Sequence, residues 1–285
     1  EKYCATGEEG LKEKFYQFVR PFELEAGPLF RIALAECEGR KRIFYDVNHI
    51  VADGESNTII LKELAALYNG QILPEARLQY QDFSEWYAQK SHKREKDYWR
   101  EVIEQIEEPM QLPYDKTGTV DSSSSVSIEI CENVYTKLKK LSGDIHTTIH
   151  NILLFAVMRT MNRYCNQQQI TLGIPFSFRN KYNLEDVLGM MVNVLPIVFR
   201  VDEERSVEES IKQIEEAVVL AYDNSICDVQ ELITEMDEIA YDKIRMVFSF
   251  YEHENSEIYF GDSKASTQSS NESIAKYELI LAIAE

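Results

Sequence analysis

Positive charge is scarce in this chain, with 30 Lys and Arg against 49 Asp and Glu in 285 residues, a formal net charge of −19. So acidic a balance argues against sequence-independent binding to nucleic-acid phosphates or to anionic lipid, which needs a basic surface, and is mainly a statement about solubility. Cysteine is sparse as well. Cys4, Cys37, Cys131, Cys165 and Cys227 are dispersed without a Cys-x-x-Cys pair, the pattern of reduced thiols in a cytoplasmic protein. Neither a signal-peptide pattern nor an apolar run long enough to span a membrane stands within these 285 residues. The chain also lacks a Gly-x-Ser-x-Gly elbow and a Gly-x-x-x-x-Gly-Lys-Ser/Thr loop, which leaves a serine hydrolase or a P-loop enzyme without support and places any ATP-driven activation elsewhere. No repeat period is visible. What remains is 44% hydrophobic and 28% charged, enough for a sizeable core in one large domain or two lobes.

Periodicity lays out the elements. Leu11, Phe15, Phe18 and Val19 share a helical face between Glu8 and Val19, and Pro21 ends that helix. A strand near Arg31–Ala35 follows. Ile43, Tyr45, Val47 and His49 then alternate with Phe44, Asp46 and Asn48, the period of a strand whose two faces see different surroundings. Ser56 is placed to cap a helix from about Asn57 to Gly70, and a charged helix with Tyr98, Trp99, Val102 and Ile103 lies within Gln89–Gln105. Pro109–Ser125, with Pro113, Gly118 and four consecutive serines, has the composition of a connector and divides the chain into lobes 1–120 and 121–285. The second half is expected to run as strand Val126–Ile130, helix Glu132–Leu141, helix Thr147–Tyr164, strand Ile170–Phe176 and strand Met191–Val201. A helix opened by the capping-box sequence Ser206-Val207-Glu208-Glu209 comes next, then a short helix capped by Asp228, and strands Ile244–Tyr251 and Ile274–Ile283 flanking a polar loop at Gly261–Ser273. Mixed helices and strands in each half indicate an α/β sandwich pair.

The segment Asn48-His49-Ile50-Val51-Ala52-Asp53-Gly54 is the richest in chemistry. It sets an imidazole at the end of an apolar strand, with a carboxylate four residues later and a glycine that permits a sharp turn or a close approach. An ordinary strand-to-helix turn with a hydrogen-bonded histidine fits the same residues. His146 and His150 are four apart but lack a His-Glu-x-x-His pattern and a third ligand, so no metal site is expected; His92 and His253 lie in polar stretches and are expected at the surface.

Several further segments fall in a specific order. Phe18-Val19-Arg20-Pro21-Phe22-Glu23-Leu24 and Pro28-Leu29-Phe30-Arg31 lead into the signature strand. Tyr80-Gln81-Asp82-Phe83-Ser84-Glu85-Trp86, Tyr98-Trp99 and Leu112-Pro113-Tyr114-Asp115 follow it. Gly173-Ile174-Pro175-Phe176-Ser177-Phe178-Arg179-Asn180, Gly189-Met190-Met191-Val192-Asn193-Val194-Leu195-Pro196 and Ala275-Lys276-Tyr277-Glu278-Leu279 complete the series. Over nearly its whole length the chain resembles a condensation domain of non-ribosomal peptide synthetases, in the chloramphenicol acetyltransferase-like group of acyltransferases. The family signature His-His-x-x-x-Asp-Gly stands here with Asn48 in place of the leading histidine.

The resemblance implies a two-lobed α/β fold, V-shaped with a central tunnel, in which substrates tethered by phosphopantetheine arms on upstream and downstream peptidyl carrier domains meet at His49 and are joined as an amide. It implies no tightly bound cofactor, and an adenylation domain in the same assembly line. By the same token His49 is the chemical residue, Asp53 its structural support and Gly54 a shaper of backbone. Asn193, Ser177, Arg179 and Asn48 are candidates for the substrate channel, with an Arg-Asn turn joining two elements as the other account of Arg179. Epimerisation, ester formation and a degenerate carrier-docking module are the alternatives on the same fold. The missing early segments of the family, among them the arginine-bearing one taken to pair with the signature aspartate, imply a piece of a larger polypeptide and leave Asp53 without a nameable partner.

Overall fold

Strand β1 (Lys2–Ala5) and helix α1 (Gly7–Phe18) open a computed structural model that describes residues 1–114, 124–236, 243–251, 257–267 and 277–284. Strands β2 (Phe30–Cys37) and β3 (Arg40–Val47) form a hairpin closed by Glu38 and Gly39, both at positive φ (51° and 74°), as the twist of a two-residue hairpin loop demands. The sheet order is β1-β2-β3, with β1 parallel to β2. One face of this sheet packs on α1. Phe18, fully buried, meets Tyr3 and Phe44, and Ala33, Ala35 and Cys37 complete that core.

The face carrying Ile43 is the other one. Leu34 opposite Ile43, and Ile32 opposite Tyr45, lie on it, and Ile43 is 38% exposed. The expectation that His49 shares a strand face with Ile43, Tyr45 and Val47 is corrected here: the strand ends at Val47, and residues 49–51 form a turn that breaks the alternation. Helix α2 (Gly54–Tyr68) is capped by Asp53, not by Ser56, because the Asp53 carboxylate accepts the Ser56 N–H. Helix α3 (Tyr80–Ala88), which apolar spacing did not single out, follows.

The chain divides into two compact units. The first holds Glu1–Ala88, Arg179–Met191 and Ile258–Lys264; the second holds Gln89–Phe178, Val192–Glu257 and Ala265–Glu285. Residues 115–123, which include the first two of the four serines that suggested a boundary near residue 120, lie outside the described residues.

In the second unit, α4 (Lys93–Glu104), α5 (Glu132–Asp144), α6 (Ile149–Cys165), α8 (Val207–Asp223) and α9 (Val229–Met236) accompany a sheet of order β5-β4-β6-β9. Its strands are β4 (Gln169–Ser177), β5 (Val192–Arg200), β6 (Met246–Tyr251) and β9 (Leu279–Ala284); α7 (Arg179–Tyr182) and the small β7 (Tyr259–Phe260) and β8 (Ser263–Lys264) belong to the first unit. Trp99, Leu154, Met158, Leu172, Leu195 and Phe248 fill the core of the second unit, and the indole Nε1–H of Trp99 donates to the Asn224 carbonyl at 2.8 Å. Ser206 and Glu209 form the capping box read from the sequence, and Asp228 accepts the Glu231 N–H as a cap should.

The strand expected at Val126–Ile130 is absent. Val126 and Ile128 are 88% and 87% exposed and the segment enters no ladder among the described residues, so β-propensity alone does not make a strand where no neighbour completes the backbone hydrogen bonds. Residues 268–276, which include Ala275, Lys276 and the start of the last expected strand, lie outside the described set, as does His253.

Candidate active site

The turn after β3 is held at both ends. Asn48 N–H donates to the Leu29 carbonyl at 2.9 Å, extending the β2–β3 ladder by one rung, and Val51 N–H returns to the Asn48 carbonyl at 3.1 Å. Asn48 Oδ1 accepts the Ile50 N–H at 3.0 Å. His49 is thus the second residue of a closed four-residue turn. Its side chain is exposed, with Nδ1 2.9 Å from the Ala52 carbonyl oxygen. A carbonyl only accepts, so Nδ1 carries the proton and the neutral ring keeps its lone pair on Nε2.

Beneath this turn Asp53 is 2% exposed and engaged on both oxygens. Oδ1 accepts the N–H and the hydroxyl of Ser56, each at 2.9 Å; Oδ2 accepts Arg179 Nη1 at 2.6 Å and the Met191 N–H at 3.0 Å. Burial alone would raise the Asp53 carboxyl, but the hydrogen bonds from Arg179, Ser56 and Met191 outweigh it and hold the group below the usual carboxylate range.

The partner of Asp53 is therefore present in this chain, which corrects the expectation that it lies in an earlier segment of the family. Arg179 has no exposed side-chain surface. Its Nη2 also donates to Ser56 Oγ at 2.9 Å and to the Gly189 carbonyl at 2.8 Å, while Nε reaches the Val187 carbonyl at 3.3 Å. Of the two roles offered for Arg179, contact with a pantetheine arm and the joining of two elements, the burial and these partners match the second. It bolts the loop before β5 to the start of α2, 126 residues away in sequence.

Ser56 is the residue that sequence reasoning misassigned, as a cap. Fully buried, its hydroxyl also accepts the Gly189 N–H at 3.1 Å. A Cβ on Gly189 would lie 2.1 Å from Cδ2 of Tyr80, so glycine at 189 lets the loop pass under that ring. The available signal was the pairing rule: an arginine that follows a run of apolar strand residues needs a carboxylate or several carbonyls. Gly54 needs no such account. It begins α2 without positive φ, and an added Cβ would meet nothing within 4 Å.

The other candidates belong to the second unit. Ser177 ends β4, half-buried. Asn193 on β5 is 9% exposed and its amide donates to the carbonyls of Ser225 and Cys227, tying the α8–α9 loop to the sheet. His150 is half-buried against Phe248 and Phe250, with Nδ1 3.1 Å from Asn151 Oδ1; burial lowers its pKa. His146 is exposed in the turn before α6, so it does not share a helix face with His150, and His92 is half-buried at the N-terminus of α4. All five cysteines are free thiols, and no helix among the described residues is long and apolar enough to cross a membrane.

Comparison with known proteins gives this arrangement its family. Bacitracin synthase 3 of Bacillus licheniformis is 31% identical over 244 residues, covering 83% of this chain and 4% of that protein. Among solved structures, the complex of the X-domain and OxyB from teicoplanin biosynthesis superposes with a TM-score of 0.83 at 18% identity, over 100% of this chain and 67% of that one. The first condensation domain of the CDA synthetase gives a TM-score of 0.70 at 20% identity, over 93% of this chain and 62% of that one. The chain thus spans a small fraction of its curated relatives and about two thirds of these structural neighbours. With the condensation-domain family model matching residues 5–285, and with the chloramphenicol acetyltransferase-like α/β fold of its neighbours, the chain belongs to the condensation-domain family of non-ribosomal peptide synthetases.

Proposed function

We propose that this domain joins a carrier-bound acyl or peptidyl thioester to the amine of a carrier-bound aminoacyl thioester, with His49 as the general base. The observation that carries the reading is the His49 Nδ1 to Ala52 carbonyl bond of 2.9 Å, which leaves the Nε2 lone pair on an exposed turn. The amine nitrogen adds to the thioester carbonyl carbon, its proton passes to Nε2, and the tetrahedral intermediate expels the donor thiolate, which takes the proton back. Amide and free thiol are the products. A base so placed contributes about 10²–10⁴-fold, and holding both reactants in line supplies further rate. The substrates arrive on phosphopantetheine arms of upstream and downstream carriers, loaded by an adenylation domain of the same assembly line.

Single-turnover transfer between two loaded carriers in the full-length protein tests this. His49→Ala is expected to lower it by about 10²-fold or more; transfer at the wild-type rate would sink the assignment. A second reading, a docking module without chemistry, draws on Asn48 in the signature and on the structural neighbour solved as a complex with another protein. Carrier binding with no amide product from the wild-type protein would favour it.

A further inference from the structure

We infer that Asn48 is the positioning residue of His49, closing the turn that presents the imidazole, so that the departure from the family signature preserves the site. The inference rests on the reading of His49 as the base and names what aims it. Asn48 uses its main-chain N–H on Leu29, its carbonyl on Val51 and its side-chain Oδ1 on Ile50, at 2.9, 3.1 and 3.0 Å. The first bond adds the last rung of the β2–β3 ladder. The other two fix the backbone on either side of His49, which lies between the residue that supplies both acceptors and the two that supply the donors.

A carboxamide is suited to this position. Its oxygen sits two bonds beyond Cβ, the reach at which Asn and Asp bond a backbone N–H two residues on. The His49 ring then closes a second short loop onto the Ala52 carbonyl, and Ala52 precedes the buried Asp53 anchor. His49 is therefore suspended between Asn48 on one side and the anchored 52–53 segment on the other. Loss of the Asn48 oxygen frees the near side only. Ile50 N–H is at the surface and can take a water, so folding is little affected while the direction of the ring is not held.

The experiment compares Asn48→Ala, Asn48→Asp and Asn48→Ser in the full chain labelled with 15N-histidine, and in parallel measures amide formation in the full-length protein. In the wild type the His49 ring nitrogens should show the Nδ1–H tautomer. Asn48→Ala is expected to average the two tautomers and to lower kcat about tenfold, with KM within about twofold, since a misaimed base loses rate before binding. Asn48→Asp, which keeps the oxygen, should restore both readouts, and Asn48→Ser, a weaker turn former, should fall between. Unchanged His49 nitrogen shifts in Asn48→Ala, or no restoration by Asn48→Asp of the shifts lost in Asn48→Ala, overturns the inference. A wild-type protein that makes no amide yet shows the Nδ1–H tautomer, lost in Asn48→Ala and restored in Asn48→Asp, would overturn the proposed chemistry while supporting this positioning.

Discussion

Replacing Arg179 with Met would leave the Asp53 carboxylate, 2% exposed, with Ser56 and the Met191 N–H but without its cation. At the observed 2.6 Å the charge–charge attraction is about 6 kcal/mol for an effective dielectric of about 20. Taking each ion out of water costs several kcal/mol, so the intact pair is close to neutral against an apolar replacement of both. Removing one partner is different: the remaining buried charge makes Arg179→Met cost about 3–5 kcal/mol, while Asp53→Asn combined with Arg179→Met costs much less than the two changes added. Amide exchange reads this locally, at the Ser56 and Met191 N–H groups that donate to Asp53, where Arg179→Met should speed exchange about 10²–10⁴-fold. The pH dependence has a definite sign. Asp53 titrates lower folded than at its ordinary 3.8, so the pair contributes fully above that value and its contribution is lost as pH falls through the lowered value. The gap between wild type and Arg179→Met should therefore narrow in acid. A single-variant cost under about 1 kcal/mol, or a double variant as unstable as the sum, would refute the account of a buried, mutually dependent pair.

Gly189→Ala should destabilise the first unit by about 1–3 kcal/mol in urea unfolding, since its methyl would lie 2.1 Å from Tyr80 Cδ2, and Tyr80→Ala should recover part of that loss by vacating the space. Asn193→Leu removes the amide donor from the Ser225 and Cys227 carbonyls, and is expected to cost about 1–3 kcal/mol and to raise amide exchange in the α8–α9 loop.

Local pattern carried most elements because each has a local cause: Pro21 after α1, the Ser206–Glu209 box before α8, Asp228 before α9. It failed where the cause was distant. Val126, Ile128 and Ile130 alternate as a strand does, yet a strand exists only with a neighbour to pair with, and alternation cannot supply one. Likewise the period through Ile43, Tyr45 and Val47 was carried on to His49, while the Asn48 side chain, a turn former in its own right, ends the strand there. In the site, the spacing of His49 and Asp53 fits an ordinary strand-to-helix turn equally well, and it is the family resemblance that singles them out. Arg179 was named, but its role was open because its partner is 126 residues away and nothing in either segment announces the other. Ser56 was mistaken for a cap since serine near a helix start is usually one; the cap is Asp53, three residues earlier, which uses the same oxygen to hold both the Ser56 N–H and its hydroxyl.

The bonding of Asp53 also constrains what His49 can do. In a dyad the carboxylate receives the imidazole N–H and balances the positive charge that forms when the ring takes a proton. Here the Asp53 oxygens are occupied by Ser56, Arg179 and the Met191 N–H, and the His49 Nδ1–H goes instead to the Ala52 carbonyl. A charge forming on the ring faces a carbonyl dipole, while the nearby carboxylate is already balanced by a guanidinium. Such an arrangement fixes the tautomer without adding a strong counter-ion. Asp53 bears on His49 through the main chain only, by holding the segment that supplies the Ala52 carbonyl.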